Sequence, residues 1–336
     1  GGLSVRQLMS RYGRVIAEVT PCLLVSPDSL ARFIPPDSLT FDLVVFDEAS
    51  QITVPSAIGA LGRAEAVVIA GDSKQMPPSR FAQLGESAEA SLTADFEVPQ
   101  DEESILSESV LAQVPRLWLS WHYRSQDESL ISFSNQTYYD DRLLTFPAVP
   151  GRGHDLGLSF TRVDGRFLRS ARKGEAGLLR TNPVEAAAVS DEVLRRWRTG
   201  ERSIGVVTFN IQQRGLIERL LLESQEPGLA ESLLNRHGGV FVKNLESVQG
   251  DERDVIIFST GFSANEQGQL PLNFGPLNRA GGERRLNVAV TRARRRVMVF
   301  SSFDPEDLRT EQTSSVGIAH LRRYLELARD GAQTSA

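Results

Sequence analysis

The sequence predicts an α/β fold with mainly parallel sheets in two domains, and three observations indicate it. Short apolar runs alternate along the chain with helical patterns. Several runs consist mostly of Val, Ile, Leu and Phe, which is typical of parallel strands covered on both faces. The 336 residues correspond to about two domains at roughly 150 residues each. The predicted strands are Cys22–Ser26, Leu43–Asp47, Ala66–Ala70, Leu117–Ser120, Ile204–Thr208, Asp254–Ser259 and Arg296–Ser301.

Helical patterns lie between these strands, most clearly over Pro183–Arg198 and Ile211–Glu223. The first pattern is preceded by Asn182, begins with Pro and carries Glu185 at its third position. This order is typical of a helix start, with Asn182 as the N-cap and Glu185 closing a capping box. A shorter helix is predicted over Ser104–Ala112.

The domain boundary is placed near Pro115, just before the predicted strand at Leu117. Residues 1–115 then form the first domain, residues 116–310 the second, and residues 311–336 a C-terminal helix or linker. The predicted final helix, Gly317–Asp330, is amphipathic, so we expect it to pack on the second domain or to lead to a further one. Its apolar face carries Leu321, Leu325 and Ala328.

One stretch, residues 86–103, contains seven acidic residues and no Lys or Arg. Such a charge run is usually a solvated segment, so the sequence predicts a mobile surface loop here. The acidic residues are Glu86, Glu89, Asp95, Glu97, Asp101, Glu102 and Glu103.

Composition excludes several classes of protein. The net charge of −6 excludes a uniformly basic nucleic-acid binder, so any such binding needs a local patch. The single Cys22 excludes an internal disulfide framework and fits a reducing compartment. The four histidines are scattered, without zinc-ligand spacing. No apolar run approaches the roughly 18 residues of a membrane helix, and the first residues lack the apolar core of a signal peptide. We therefore expect a cytoplasmic protein with no membrane partner.

The first chemically suggestive segment is residues 41–50, an apolar run that ends in Asp47 and Glu48. Side chains at the carboxyl end of a parallel strand point into the ligand crevice of an α/β sheet. An Asp there can hold Mg²⁺, and a following Glu can polarise an attacking water. The alternative is a solvated strand end with two acids by chance.

The second segment, residues 67–78, is another apolar run followed by a Gly turn, polar side chains and two prolines. The amide of Gln75 can report a γ-phosphate, and Asp72 is a second candidate for nucleotide binding. The alternative is a plain strand and turn that the prolines terminate.

The third segment, residues 121–125, contains Tyr123 and Arg124. An arginine can supply positive charge to a phosphate across a cleft, and a tyrosine can stack on a base. Taken alone, the segment favours an ordinary Arg–carboxylate surface pair beside a core aromatic residue.

Two further segments precede predicted strands. Residues 244–254 contain Gln249, Gly250 and Glu252, which offer an amide, a close backbone approach and a carboxylate; the alternative is a charged turn.

Residues 286–296 place four arginines within five positions. That cluster fits a solvated basic face, a nucleic-acid patch, or one arginine such as Arg292 directed at a phosphate.

Together these five segments resemble the motifs of superfamily 1 helicases, in the subgroup of the nonsense-mediated-decay helicase and the replication helicase–nuclease. They occur in the family order and with family-like spacing, and the likeness covers about residues 20–303. Residues 20–27 also resemble the nucleic-acid-contacting motif Ic. Large bacterial multidomain proteins with an AAA-type ATPase core are similar too, and some carry a nuclease-like domain after a comparable tail. The matching segments are DEAS (motif II), GDSKQMPP (III), WHYRS (IV), ESVQGDERD (V) and NVAVTRAR (VI).

The resemblance implies two RecA-like P-loop-type domains with ATP and Mg²⁺ between them. It implies that Asp47 coordinates Mg²⁺ and that Glu48 is the catalytic base. Gln75 would sense the γ-phosphate, while Arg124 and Arg292 would reach the transferring phosphoryl group.

Other roles implied by the resemblance concern the rest of the nucleotide and the nucleic acid. Glu252 would contact the ribose, Tyr123 would pack near the adenine, and Gly250 would let the backbone approach. Asp72 and Gln249 would also contribute to nucleotide binding. Single-stranded nucleic acid, DNA in preference to RNA, would run near Ser26, Pro27, Thr208, Asn210, Asn244 and Ser247.

One family element is missing from the sequence, the phosphate-cradling loop GxxxxGK[ST]. No Gly-Lys-Ser or Gly-Lys-Thr occurs anywhere in the chain. In the family this loop lies well upstream of DEAS, and the chain begins without Met. We therefore expect an N-terminally truncated fragment whose first domain is incomplete and lacks its central strand.

The sequence thus predicts part of an ATP-driven helicase that moves on single strands, 5′ to 3′ by resemblance, with this chain inactive by itself. The alternative is a non-hydrolysing nucleic-acid-binding or scaffold module of helicase-like shape. The intact Asp47, Glu48, Gln75, Arg124 and Arg292 oppose that alternative. A dinucleotide-binding dehydrogenase is also excluded, because no GxGxxG occurs.

Overall fold

A computed structural model describes residues 2–78, 104–146, 156–170, 176–235 and 238–333. The chain divides into two compact units, Gly1–Trp118 and Leu119–Ala336. The three-part division predicted at residues 115/116 and 310/311 stays a prediction. The acidic stretch at residues 86–103 lies outside the described residues. Within the described part of the chain, no helix is both long enough and apolar enough to cross a membrane.

The first unit is built around a two-stranded parallel sheet. Its register aligns Phe41 with Ala64 and Phe46 with Ile69. The first helix begins with a capping box between Ser4 and Gln7. The elements of this unit are α1 (Val5–Val19), α2 (Pro27–Phe33), β1 (Phe41–Phe46), α3 (Val54–Leu61), β2 (Ala64–Ile69) and α4 (Ile105–Leu111).

One face of this small sheet packs on helices, and the other is open. Phe46 is buried in a core that also takes residues from α1, α2 and α3. On the opposite face, Leu43, Val45 and Val68 are 49%, 58% and 48% exposed. Parallel sheets are normally covered on both faces. The open apolar face of this small sheet is therefore unusual for parallel strands.

The second unit contains a five-stranded sheet in which every pair of neighbours is parallel. The elements are β3 (Trp121–His122), α5 (Ser129–Tyr138), β4 (Leu144–Thr145), β5 (Gly157–Arg162), α6 (Pro183–Arg198), β6 (Ile204–Thr208), α7 (Ile211–Glu223), α8 (Leu229–Leu234), β7 (Phe241–Asn244), β8 (Arg253–Ser263), α9 (Gly282–Val290), β9 (Ala293–Ser302) and α10 (Val316–Gln333). The strand order in the sheet is β5-β9-β8-β6-β7. The predicted α/β class with mainly parallel sheets is confirmed.

Both faces of the five-stranded sheet are covered, as the buried apolar stretches of β6 and β8 require. Ile257 of β8 packs with residues of α6 and α7 on one face. Because successive strand residues point to opposite faces of a sheet, the next residue, Phe258, lies on the other face. There its ring contacts Tyr324 of α10. Gly205 in β6 leaves no room for a Cβ atom, which would collide with the Phe241 side chain.

Two predicted strands are wrong. Residues 22–26 form no strand, and Leu24 is 94% exposed. Residues 117–120 are also irregular, with Leu117 95% exposed, and the short strand β3 begins only at Trp121. An apolar run becomes a strand only where a neighbouring backbone satisfies its N–H and C=O groups. Among the described residues, 22–26 belong to no sheet, and in 117–120 only the Ser120 carbonyl accepts from a strand, at the Leu144 N–H.

The final helix is confirmed as amphipathic and packs on the second unit. Leu321, Leu325 and Ala328 are fully buried. Helix α10 contacts β5 and α9, so it covers one side of the sheet.

The start of α6 is confirmed in position, but the predicted capping box is wrong. Asn182 accepts a hydrogen bond from the Glu185 N–H, as an N-cap does. The Glu185 carboxylate instead points into the protein, where Oε1 accepts from the Gly261 N–H at 2.7 Å and the Ser259 hydroxyl at 2.8 Å. Oε2 accepts from the Ser302 hydroxyl at 2.8 Å. Glu185 therefore joins the start of α6 to the ends of β8 and β9.

Burial raises the pKa of Glu185 to about 7, and the hydrogen bonds from Gly261, Ser259 and Ser302 only partly oppose the rise. The folded state therefore holds this proton more tightly than the unfolded state between pH 4.5 and 7. The contribution of this carboxyl to stability is largest at low pH and falls as the pH rises through that interval.

We expect Glu185→Gln to remove this pH dependence, since the amide does not titrate. Urea denaturation at pH 5 and pH 7.5 should show the wild-type free energy of unfolding falling relative to the variant by about 2 kcal/mol. Parallel pH curves for the two proteins would contradict the assignment.

Candidate functional site

In the first unit, Asp47 and Glu48 follow β1 directly and are exposed. The sheet ladder continues past the strand, because the Ala70 N–H donates to the Phe46 carbonyl and the Ala49 N–H donates to the Ala70 carbonyl. The Asp47 carboxylate accepts from the Glu48 N–H at 2.9 Å. Glu48 adopts a left-handed backbone with φ of 51°. This turn holds two adjacent acids at the carboxyl end of the strand.

The turn after β2 lies directly beside the turn after β1. A Cβ atom on Gly71 would come within 3.1 Å of the backbone nitrogens of Ala49 and Ser50. Gly71 therefore allows an approach that a larger residue would resist. The structure thus brings the two acids next to the GDSK segment, because β1 and β2 are parallel neighbours.

Asp72 organises that second turn. One of its oxygens accepts from the Lys74 N–H at 2.8 Å, and the other accepts from Gln75 Nε2 at 3.1 Å. Gln75 Oε1 is buried and has no hydrogen-bond partner among the described residues. A buried acceptor without a donor is costly, so a donor supplied by a ligand or a water would be favourable here.

Asp47 is a candidate to help hold a magnesium ion. Its carboxylate is exposed, and Mg²⁺ in nucleotide sites takes one or two carboxylates together with phosphate oxygens and water. Within the ranges that the structure describes, no group of three or more His, Cys, Asp and Glu side chains could hold a metal by itself.

In the second unit, Glu252 lies between two arginines. Arg124 Nε donates to Glu252 Oε2 at 2.7 Å, and Arg294 Nη2 donates to Glu252 Oε1 at 2.9 Å. Arg294 Nη1 also reaches Asp254 at 3.4 Å. The hydrogen bond from Arg124 is the main cause that holds the pKa of Glu252 below its usual value, so this carboxylate is ionised at neutral pH.

The segment that carries Arg124 is a tight turn around a neutral histidine. His122 Nε2 accepts from the Ser125 N–H at 3.2 Å. Burial, then the charges of Arg124 and Arg292, lower the pKa of His122 to about 4. Tyr123 projects outward and is 83% exposed, so its ring is accessible for stacking.

Arg292 is placed differently from Arg124. It is buried, and its guanidinium turns back onto the end of the preceding helix α9. Nε donates to the Val288 carbonyl at 2.7 Å and Nη2 to the Thr291 hydroxyl at 3.0 Å. Nε and one Nη2 hydrogen of Arg292 are therefore engaged within this unit.

The loop from β7 to β8 contains the remaining nucleotide candidates. Gly250 has a φ of +84° and open space around it, as close approach by a ligand requires. Gln249 is half-buried beside it. The loop is braced by an ion pair between Lys243 and Asp251 at 2.8 Å.

Five of the six predicted nucleic-acid contacts fall into two groups. Thr208 and Asn244 are buried, and Asn244 Oδ1 accepts from the Ser247 N–H at 3.0 Å, so these residues brace the loop after β7. Ser26 is exposed and caps α2, which starts at Pro27. The contact roles of all six stay predictions.

Asn210 combines a capping role with an unsatisfied group. Its Oδ1 accepts from the Gln213 N–H at 2.7 Å. Its Nδ2 is buried without a hydrogen-bond partner in the described part of the chain.

Sequence reasoning missed Arg294 as a site residue. The cluster of four arginines is evident in the sequence, but the opposite directions of the Arg294 and Arg295 side chains on β9 are not. The predicted strand starts only at Arg296, whereas β9 begins at Ala293. With the earlier start, the alternation of strand residues places the side chains of Arg294 and Arg295 on opposite faces of the sheet.

Comparison with known proteins decides the family. A family model described as an AAA domain matches residues 102–304, more than half of the chain, and a second AAA domain model matches residues 25–83. The chain belongs to the AAA domain family of superfamily 1 helicases.

Three curated relatives of this helicase family illustrate the likeness. An uncharacterised ATP-dependent helicase of Mycoplasma genitalium is 33% identical over 94% of this chain and 28% of its own length. The DNA-binding protein SMUBP-2 of Rattus norvegicus is 28% identical over 82% of this chain and 26% of its own length. The DNA replication ATP-dependent helicase/nuclease JHS1 of Arabidopsis thaliana is 23% identical over 89% of this chain and 21% of its own length. The chain thus spans about a quarter of the length of these relatives.

Proposed function

We propose that the protein is an ATP-driven helicase or translocase on single-stranded nucleic acid, with DNA favoured over RNA. One observation carries the proposal. In each unit, the segments proposed to bind nucleotide lie together at one edge of the sheet. In the first unit, DEAS and GDSKQMPP follow the carboxyl ends of the neighbouring strands β1 and β2. In the second unit, ESVQGDERD and NVAVTRAR lead into the neighbouring strands β8 and β9. The names of the relatives support the activity, and the DNA-binding name of SMUBP-2 supports the choice of DNA.

In the first unit, the proposed chemistry is activation of water. Glu48 takes a proton from the attacking water as general base. Gln75 Oε1, which has no hydrogen-bond partner among the described residues, suits an O–H donor such as that water. Mg²⁺ held through Asp47 would offset the charge of the phosphates when it is bound.

In the second unit, the proposed chemistry is stabilisation of charge. Arg124 and Arg292 act on the transferring phosphoryl group, where an arginine is worth about 10³–10⁵ in rate. Glu252 has further lone pairs beyond those used by Arg124 and Arg294, so it can also accept from a ribose hydroxyl. The exposed ring of Tyr123 can stack near the base.

The phosphate-cradling loop is proposed to lie elsewhere in the same polypeptide. These 336 residues contain no Gly-Lys-Ser/Thr, and the curated relatives are several times longer. The open face formed by Leu43, Val45 and Val68 offers a surface for such additional chain. The helicase/nuclease name of JHS1 supports looking for a nuclease-like part as well.

The proposal is tested with the complete polypeptide that the reading frame encodes. We expect the frame to contain GxxxxGK[ST], and the purified protein to release phosphate from ATP faster when single-stranded DNA is added. If the frame contains no such loop, or if the protein neither hydrolyses ATP nor responds to single strands, a non-hydrolysing binding module replaces the proposal.

A further inference from the structure

We propose that Arg294 is a positioning residue for Arg124 and acts through Glu252. The inference rests on the proposed function, in which Arg124 stabilises the transferring phosphoryl group. Arg294 itself need not touch the nucleotide. Its role is to fix the carboxylate against which the Arg124 guanidinium is oriented.

The start of β9 places Arg294 where it can reach Glu252. Ala293 pairs in register with Arg253, so the residues that lead into β8 and β9 are neighbours. Arg294 then directs Nε and Nη2 to the same oxygen, Glu252 Oε1, at 3.2 and 2.9 Å. Two donors on one oxygen define the position of that oxygen better than one.

This arrangement leaves the second oxygen of Glu252 for Arg124. Arg124 Nε donates to Oε2 at 2.7 Å, while its other hydrogen bond, from Nη1 to the Thr291 carbonyl, is long at 3.5 Å. Glu252 is therefore the contact that best fixes the Arg124 guanidinium. If Arg294 is removed, the Glu252 side chain regains rotational freedom, and Arg124 loses a fixed partner.

The two arginines of this cluster, Arg124 and Arg294, are matched by two carboxylates, Glu252 and Asp254. Arg124 and Arg294 carry two positive charges, and Glu252 and Asp254 carry two negative charges. Asp254 accepts from Arg294 Nη1 at 3.4 Å, so Arg294 does not depend on Glu252 alone. Two arginines can thus share one carboxylate because a second carboxylate lies beside Arg294.

Orientation, rather than stability, is the main expected effect of this cluster. Arg124, Glu252 and Arg294 are 32%, 39% and 41% exposed. Ion pairs that water can reach contribute little to folding. Phosphoryl transfer, in contrast, is sensitive to displacements of about 1 Å in the groups that surround it.

Substitution of the Arg294 side chain leaves the backbone link to the Arg124 segment in place. The Gln126 N–H donates to the Arg294 carbonyl at 2.7 Å, and any residue at position 294 supplies that carbonyl. Arg294→Gln therefore separates the side-chain contact from the position of the loop.

The next residue, Arg295, is the matched control. It lies on the same strand, faces the other way and makes a loose ion pair with Glu201 at 3.9 Å. Arg295→Gln removes the same charge one residue away and leaves the Glu252 cluster intact.

The test measures kcat and KM for ATP hydrolysis by the complete polypeptide with saturating single-stranded DNA. We expect Arg294→Gln to lower kcat by about 10- to 100-fold, and Arg295→Gln to leave it near the wild-type value. The melting temperature of Arg294→Gln should stay within about 2 °C of the wild type. In an Arg124→Gln background, Arg294→Gln should cause no further loss, because its target is already absent.

Wild-type kcat in Arg294→Gln would overturn the inference, as would an equal loss with and without Arg124. If Arg294→Gln does not fold, Arg294→Lys is tested in its place. Lysine keeps the positive charge but lacks the planar, forked donors of a guanidinium, so an intermediate kcat is expected. Wild-type kcat in Arg294→Lys would then overturn the inference. A wild-type polypeptide that carries the phosphate loop but hydrolyses no ATP would overturn the proposed function instead.

Discussion

Replacement of Glu48 by Gln in the complete polypeptide is expected to lower ATP hydrolysis by about 10²–10⁴-fold while ATP still binds. Gln has the same shape but cannot take the proton from the attacking water. The local fold should persist, because the turn is set by the backbone N–H of residue 48, which donates to Asp47. Phosphate release measures turnover, and a fluorescent ATP analogue measures binding.

Glu65→Gln is a suitable control for Glu48→Gln. Glu65 is an exposed glutamate near the start of β2, at the opposite end of the small sheet from Glu48. The control should hydrolyse ATP at the wild-type rate. Normal turnover in Glu48→Gln would contradict the role of Glu48 as the base.

Arg124→Gln has the second large expected effect, a loss of about 10³-fold or more in kcat. The substitution removes positive charge from the proposed phosphoryl site but leaves Glu252 paired with Arg294. No buried carboxylate is therefore left without a partner, and the protein should remain folded. Steady-state kinetics measure the loss of kcat, and a melting curve shows whether the variant is still folded.

Arg124 is a cleaner target than Arg292, because Arg292 is buried and also bonds to Val288 and Thr291. Arg292→Gln should lower kcat too, but with some loss of stability. The exposed Arg279 provides the control. An Arg124→Gln enzyme with wild-type kcat would show that this arginine does not act on the phosphoryl group.

Much of the fold follows from local pattern. Helix α6 spans Pro183–Arg198 as predicted, because an N-cap Asn and a Pro at the first position define its start. The apolar runs at β1, β2, β6, β8 and β9 became strands because each has a parallel neighbour. The equally apolar residues 117–120 did not, since strand formation depends on a partner that local sequence does not reveal.

The site was predictable in its parts but not in its contacts. The motifs placed Asp47, Glu48 and Arg124 among the candidates by residue type and order. The Arg124–Glu252 pair joins residues 128 positions apart, and Arg294 joins it from a third segment. Glu185 was read as a capping residue because its spacing from Asn182 fits one. Its burial against β8 and β9 is a tertiary effect.

ATP-dependent movement along a single strand is the most direct test of the account. The complete polypeptide is incubated with single-stranded DNA that carries streptavidin on a biotin at one end, and release of streptavidin is followed with and without ATP. We expect release that requires hydrolysis, is faster from the 3′ end, and is lost in Glu48→Gln. If the wild type hydrolyses ATP but releases streptavidin no faster than it does without ATP, the protein is not a translocase and the account is contradicted.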